Sequence, residues 1–158
     1  MRIGHGFSAL PFQPGEKIML GGVVIAYHCG LSGPGDGDVL LLSIGDALLG
    51  AVGLGSCATE FPRSNPDFRF ADSRSLLRMI GARLKKLGHE ICNIDASVIT
   101  RDIQLQTYLS VIKQGIAEDL AIDTGSVNLK LNDASCGPIA QVADGLAAFS
   151  TVLIKHDY

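Results

Sequence analysis

The sequence predicts an α/β fold: a two-layer, ferredoxin-like sandwich of a mixed sheet with helices on one face. Three observations lead to this prediction. The segments follow the order strands, helix, helix, strand, helix, strand, strand, which is typical of a layered α/β domain. The helix after residue 38 is apolar on every side, so it belongs in a core. The last strand, over 145–154, is apolar on both faces, which predicts that both are covered. At 158 residues we expect a single domain, 1–158.

The sequence pattern in the first part of the chain predicts a strand followed by a hairpin. The strand covers Arg2–Phe7, where Gly4 and Gly6 leave room for another backbone to approach closely. Lys17–Leu20 and Val23–Tyr27 flank a Gly-Gly pair, which is typical of a hairpin with a primed turn.

A glycine-rich loop, Gly33–Asp38, leads into the apolar helix predicted within Val39–Gly53. Asp36 or Asp38 can accept hydrogen bonds from the free amides at the start of this helix. Asp46 is the one charged residue inside it, and a buried carboxylate needs a partner. Since the loop opens onto the positive end of a helix, it is also a natural site for an anion or a metal.

The rest of the chain predicts a long loop, two amphipathic helices and two half-buried strands. The loop over 53–70 shows little periodicity, and loops of this length are usually functional or mobile. One helix runs from Asp72 to a glycine cap at Gly88, and the other covers 109–120. The strands cover 94–98 and 127–131.

The composition excludes several classes of function. There are 13 basic and 16 acidic residues, a net charge of −3, and no extended basic patch, so we expect no nucleic-acid partner. No run reaches the roughly 18 apolar residues of a membrane span. The N-terminus does not read as a signal peptide and the four cysteines are widely spaced, so we expect free thiols in the cytoplasm. A hydrophobic content of 47% favours a buried subunit interface.

Motifs weighed one at a time show no catalytic machinery. Asp36 and Asp38 are either a carboxylate pair for a metal or for acid–base chemistry, or a turn with a helix cap, which we favour. The surrounding glycine loop lacks the lysine and spacing of a phosphate-binding loop. Arg74, Arg78 and Lys85 either bind phosphate or form a solvated face, and we favour the latter. The four histidines show no zinc-ligand spacing.

Several motifs resemble those of one known family, the 2-C-methyl-D-erythritol 2,4-cyclodiphosphate synthases of the non-mevalonate isoprenoid pathway. They span nearly the whole chain and are Arg2-Ile3-Gly4-x-Gly6-Phe7, Asp36-Gly37-Asp38-Val39, Asp46-Ala47-Leu48-Leu49-Gly50, Phe61-Pro62, Asp72-Ser73, Asn93-x-Asp95 and Val127-Asn128-x-Lys130. The resemblance implies a homotrimer with active sites between neighbouring chains. It also implies a lyase reaction that cyclises 4-diphosphocytidyl-2-C-methyl-D-erythritol 2-phosphate and releases CMP, with Zn²⁺ and a second divalent metal, Mg²⁺ or Mn²⁺.

The positions that the resemblance assigns to the metals have changed. An aspartate and two histidines hold the family's zinc, and Ser8, Leu10 and Leu42 stand in their places. Leucine has no lone pair to donate, and one neutral serine is a poor zinc ligand. The glutamate that holds the second metal is Ser135, so no metal ligand is retained.

Other positions in the family's site have changed too. Pro34 and Gly35 replace a histidine and a serine beside the Asp-Gly-Asp loop, and Ser56 replaces an aspartate. The nucleotide loop reads Thr100–Gln104, and Val142 replaces an arginine of the central trimer cavity. The residues that remain as candidates for a residual pocket are Pro34, Gly35, Asp36, Asp46, Ser56, Arg101, Asp102, Asn132 and Asp133.

We therefore expect a catalytically inactive homologue, a pseudoenzyme without a metal cofactor, that acts as a trimeric scaffold or binding module. One alternative is a retained or altered lyase activity on a diphosphate substrate. A rebuilt Mg²⁺ or Mn²⁺ site would then use Asp36, Asp46, Asp102 and Asp133. Another is a mixed trimer with an intact paralogue, whose sites this chain would dilute or regulate.

Overall fold

A computed structural model describes residues 1–101, 103–133 and 144–156 and confirms the predicted two-layer α/β architecture. In chain order the elements are β1 (Arg2–Gln13), β2 (Lys17–Leu20), β3 (Val23–Ala26), β4 (Gly30–Leu31), α1 (Val39–Ala51), α2 (Cys57–Glu60), α3 (Ser73–Lys86), β5 (His89–Thr100), α4 (Leu109–Leu120), β6 (Val127–Asp133) and β7 (Gly145–His156). Short 3-10 helices cover Ile103–Tyr108 and Thr124–Ser126.

The main sheet has the order β4-β1-β7-β5-β6 and is mixed, as predicted. β5 and β6 are parallel, whereas β1 pairs antiparallel with β4 and β7, and β5 pairs antiparallel with β7. The β2–β3 hairpin forms a separate two-stranded sheet. Its turn residues Gly21 and Gly22 both have positive φ, at 59° and 78°, which is the backbone that the Gly-Gly pair predicted.

Helix α1 lies directly on β1, and glycines make this contact possible. A Cβ atom at Gly4 would lie 1.8 Å from the carbonyl oxygen of Ala47, and one at Gly6 would lie 1.9 Å from that of Ser43. The predicted close approach is therefore confirmed, and the partner is the helix backbone itself. The Ser43 and Ser150 hydroxyls, 2.6 Å apart and both buried, join α1 to β7 at the interface between the helix layer and the sheet.

The predicted burial of α1 is confirmed except along one stripe, where Leu42 and Asp46 are half-buried and Gly50 is exposed. Leu40, Ile44 and Leu48 are each 0% exposed, between the sheet on one side and α3 on the other. Burying an aliphatic side chain of this size stabilises a fold by roughly 1.5–3 kcal/mol, so α1 is the main contributor to the core.

Helices α3 and α4 form as predicted and are joined by charge. Asp72 caps α3 by accepting from the Ser75 amide at 2.9 Å. Asp119 on α4 bridges two arginines of α3, at 2.6 Å from Arg74 Nε and 2.9 Å from Arg78 Nη1. Both guanidinium groups share this carboxylate, and their side chains are 37% and 50% exposed. These contacts agree with the favoured solvated face and give no support to the phosphate-binding alternative.

Several predicted details differ from the structure. The strand predicted over 94–98 is β5, which covers His89–Thr100, and β4 was not predicted. β1 continues past Phe7 to Gln13 because β4 pairs with its end. The predicted loop over 53–70 contains the short helix α2, which starts at a capping box on Ser56. The last strand, β7, is not covered on both faces within the subunit, since Phe149 is 38% exposed on the face opposite the helices.

No helix in the described part of the chain is long and apolar enough to cross a membrane. Cys29, Cys57 and Cys92 are free, in agreement with the predicted thiols, and Cys136 lies outside the described residues.

We expect Gly4→Ala to lower the free energy of unfolding by roughly 3 kcal/mol or more, because the new Cβ would meet helix backbone atoms that cannot rotate away. Gly50→Ala is the control, since its Cβ would meet nothing closer than 3.9 Å and alanine favours a helix by up to about 1 kcal/mol. Chemical denaturation measures both. Equal denaturation midpoints for the two variants would contradict the close packing of α1 on β1.

Candidate functional site

Asp38 is a structural cap at the start of α1. Its carboxylate is fully buried and accepts hydrogen bonds from the amides of Leu41 at 3.0 Å, Gly21 at 3.0 Å and Gly22 at 2.7 Å. Burial raises the pKa of Asp38 to about 6, and the three amides only partly offset this effect. The carboxylate thus joins α1 to the β2–β3 hairpin and does not face an open site.

Asp36 fixes the same loop to the start of α3. Its oxygens accept from the Ser73 amide at 2.9 Å, from the Ser73 hydroxyl, and from the Asp38 amide at 3.3 Å. Both aspartates of the Asp-Gly-Asp motif therefore hold backbone together, as the favoured turn-and-cap interpretation predicted. The alternative, a carboxylate pair for a metal or acid–base chemistry, gains no support from these contacts.

A cleft of about 250 Å³ brings together part of the predicted site. It lies where β1, α1, α2 and the Gly33–Asp38 loop meet. The residues that line it are Ser8, Pro34, Leu42, Asp46, Cys57, Ala58, Phe61, Arg63 and Leu76. Ser8, Pro34, Leu42 and Asp46 were predicted from the sequence, and the other five were not.

Asp46 finds the partner that its position in α1 requires. Its Oδ1 accepts from the backbone amide of Cys57 at 2.7 Å, which fixes the start of α2 against α1. The Cys57 thiol is buried, and its pKa is raised far above the usual range by that burial and then by the charge and hydrogen bond of Asp46. The thiol stays protonated and is a poor nucleophile.

Arg63 is the positively charged residue of the cleft. Its Nη1 donates to the carbonyl oxygens of Phe68 at 2.9 Å, Arg69 at 3.1 Å and Ala71 at 3.0 Å, which holds the loop before α3. Its guanidinium also fills the space beside Gly35, where a Cβ would lie 2.2 Å from Nη2. Sequence reasoning missed Arg63 because no local pattern shows which distant segments an isolated loop arginine will reach.

The remaining candidates within the described residues do not line this cleft. Ser56 caps α2 by accepting from the Thr59 amide at 3.4 Å. Arg101 follows β5, and Asn132 and Asp133 end the neighbouring β6, where Asp133 pairs with Thr100. Asp102, Ser135 and Val142 lie outside the described residues.

A second, larger cavity of about 540 Å³ lies between the ends of α3 and α4 and the start of β5. It was not predicted. Its charged lining residues have both signs: Arg78, Lys85, Glu90, Asp119 and Asp123. The buried Nδ1 of His89 in its wall has no hydrogen-bond partner among the described residues. Since the opposite charges nearly balance, this cavity does not select for an anion or a cation.

Comparison with known proteins agrees with the motifs. A model of the YgbB family matches residues 1–155. The chain belongs to the YgbB family. It is 39% identical to the 2-C-methyl-D-erythritol 2,4-cyclodiphosphate synthase of Cellvibrio japonicus over 155 residues, 98% of both chains. The synthase of Pseudomonas fluorescens is also 39% identical, over 156 residues and 99% of both chains. The family resemblance inferred from the sequence is thereby confirmed.

Solved structures show the same fold. The bifunctional IspDF of Campylobacter jejuni matches with a TM-score of 0.89 and 32% identity. The match covers 98% of this chain but only 42% of that longer one, so this chain corresponds to one part of the bifunctional protein.

The residues of this YgbB-family chain do not fit the zinc that the family resemblance implies. Ser8 and Leu42 line the cleft, and Leu10 is packed against Gly33, where a Cβ would lie 2.4 Å from Leu10 Cδ1. Two of these three side chains are hydrocarbon and cannot coordinate a cation. Within 1–101, 103–133 and 144–156, no group of three or more His, Cys, Asp or Glu side chains is placed to hold a metal ion.

The pKa of Asp38 predicts a pH dependence of stability. Because the folded-state pKa of about 6 exceeds the ordinary value of 3.8, the native state retains a proton that the unfolded state has lost between these values. Stability due to Asp38 therefore falls as pH rises from about 4 to 6, by about 3 kcal/mol in total. Urea unfolding of the wild type and Asp38→Asn, at several pH values, measures the difference. A difference that is constant with pH would contradict the raised pKa.

Proposed function

We propose that this chain is a pseudoenzyme of the 2-C-methyl-D-erythritol 2,4-cyclodiphosphate synthase family, and that it serves as a binding module on a trimeric scaffold. The observation that supports this is the replacement of the family's zinc ligands by Ser8, Leu10 and Leu42 in an otherwise intact fold. Loss of a Lewis acid from a phosphoryl oxygen forfeits several kcal/mol of barrier lowering, roughly three or more powers of ten in rate.

The alternative of a rebuilt Mg²⁺ or Mn²⁺ site has less support. Asp36 accepts three hydrogen bonds from the scaffold, and Asp46 accepts one from the Cys57 amide. Asp133 ends β6 and does not line the cleft. Hard divalent cations need several converging oxygen ligands. No described residue set supplies them.

The sheet supports the proposed trimer. On the face of β1 and β7 opposite the helices, Ile3 is 72% exposed, Phe7 is 47% exposed, and Phe7 stacks on Phe149 with ring centroids 4.6 Å apart. Such an apolar sheet face is covered when subunits associate. A mixed trimer with an intact paralogue would use the same face, and the free thiols suit the reducing cytoplasm.

We expect the purified chain to contain no stoichiometric zinc, because Leu10 and Leu42 have no donor atoms. Its CMP release should be roughly three or more powers of ten slower than that of the Cellvibrio japonicus synthase measured alongside. Elemental analysis and a turnover assay check these two results. The triple variant Ser8→Asp, Leu10→His, Leu42→His should regain zinc, which shows that the fold still presents these positions together. Stoichiometric zinc in the wild type, or CMP release at the rate of the relative, would refute the proposal.

We expect Phe7→Asp to reduce the assembly to smaller species, because a carboxylate in an apolar interface loses its hydration without a partner. Val111→Asp is the matched control, since Val111 is 51% exposed on α4, in the helix layer. Analytical ultracentrifugation measures the masses. A monomeric wild type, or equal masses for the wild type and Phe7→Asp, would contradict a trimer that uses this face.

A further inference from the structure

We propose that Arg63 makes the cleft a binding site for a small phosphomonoester, with a guanidinium ion where the family resemblance places a metal. This inference rests on the proposed absence of zinc from the cleft. It assigns a ligand class to the same site and concerns binding alone.

Arg63 is held in place through one of its guanidinium nitrogens, and the other two remain available as hydrogen-bond donors. Nη1 is engaged by the carbonyl oxygens of Phe68, Arg69 and Ala71, which fixes the plane of the guanidinium. Nε and Nη2 have no hydrogen-bond partner within the described part of the chain. These two nitrogens form a fork that matches two oxygens of one oxyanion. A side chain that is already immobilised loses little further entropy when it binds.

The charge of Arg63 is also uncompensated by a direct ion pair. Arg74 and Arg78 share Asp119, and Arg83 pairs with Glu60. Arg63 has no such carboxylate within 4.0 Å among residues 1–101, 103–133 and 144–156. Of these four arginines, Arg63 is the one that lines this cleft, and its charge is not paired with a carboxylate of the described residues.

Ser8 supplies a further donor to the cleft. Its hydroxyl has no hydrogen-bond partner among the described residues, and its side chain is half-buried in the wall. The Arg63 fork and this hydroxyl together offer more N–H and O–H groups than the two oxygens of a carboxylate can use in one plane. A phosphate presents three terminal oxygens, so it matches this donor set better than a carboxylate does.

The size and the other walls of the cleft limit the rest of the ligand. Leu42, Phe61 and Leu76 give it an apolar side, which lowers the local dielectric and strengthens a charged contact. The part of the cleft that one chain forms, about 250 Å³, admits a phosphate with a short organic chain. Asp46 also lines the cleft and carries the opposite charge to Arg63, so its carboxylate opposes an anion there.

The test is calorimetric titration of the full chain with inorganic phosphate and with glycerol phosphate, in buffer that contains a chelator. We expect saturable binding of both, weakened about tenfold or more in Arg63→Gln, since a charge-assisted bond is lost. The amide of glutamine can still donate to the loop carbonyls. Arg69→Gln is the matched control because Arg69 is an exposed arginine of the same loop, and its affinity should equal that of the wild type.

Two further variants leave Arg63 untouched and keep the test decisive if Arg63→Gln fails to fold. Ala58 is exposed at the rim, so Ala58→Phe should obstruct the cleft and weaken binding. Asp46→Asn removes the opposing charge and should strengthen phosphate binding about twofold or more. Circular dichroism confirms that each variant is folded.

Several results would overturn the inference. They are no saturation with either phosphate, equal affinity in folded Arg63→Gln or Ala58→Phe and the wild type, or no gain in Asp46→Asn. Binding that disappears with the chelator would also overturn it, because a metal would then hold the phosphate. Zinc content is measured separately, so a zinc-free chain that does not bind phosphate refutes this inference alone and leaves the proposed function standing.

Discussion

The direct contact between the backbone of α1 and the glycines of β1 is the constraint on which the rest of the subunit depends. Gly4 and Gly6 lie against the carbonyl oxygens of Ala47 and Ser43, and any side chain at either glycine would push the layers apart. Alternate residues of a strand share a face, so Ser8 and Leu10 are the next side chains toward the helices. The cleft begins at Ser8, and its position therefore follows from this contact.

The charged side chains near the cleft differ in what they contact. Asp36 and Asp38 are occupied by the backbone of α3, α1 and the β2–β3 hairpin, and Asp46 by the amide of Cys57. Arg63 is anchored through Nη1, and its Nε and Nη2 have no hydrogen-bond partner among residues 1–101, 103–133 and 144–156. The cleft therefore carries a positive charge that backbone carbonyls alone hold in place.

Much of the fold was predictable because it depends on local periodicity. The apolar pattern placed α1, α3 and α4, and the capping residues Asp38 and Asp72 began two of them as expected. The short helix α2, the full length of β1 and the exposed face of β7 were not predicted. The end of β1 depends on β4, a separate segment that pairs with it, and the start of α2 depends on Asp46, whose carboxylate accepts from the Cys57 amide.

By itself, the sequence determined that Leu10 and Leu42 cannot coordinate a cation, because leucine has no donor atom in any conformation. That these are zinc positions is what the family resemblance implies. The sequence also determined the α/β class, because amphipathic periods and turn residues act locally. Only the tertiary structure decided which helix meets Gly4 and Gly6, and which aspartate accepts from which amide. It also decided that Arg63, Ser8 and Leu42 line one cleft. These pairings join segments tens of residues apart. They are selected by the packing free energy of the whole domain, which no local pattern contains.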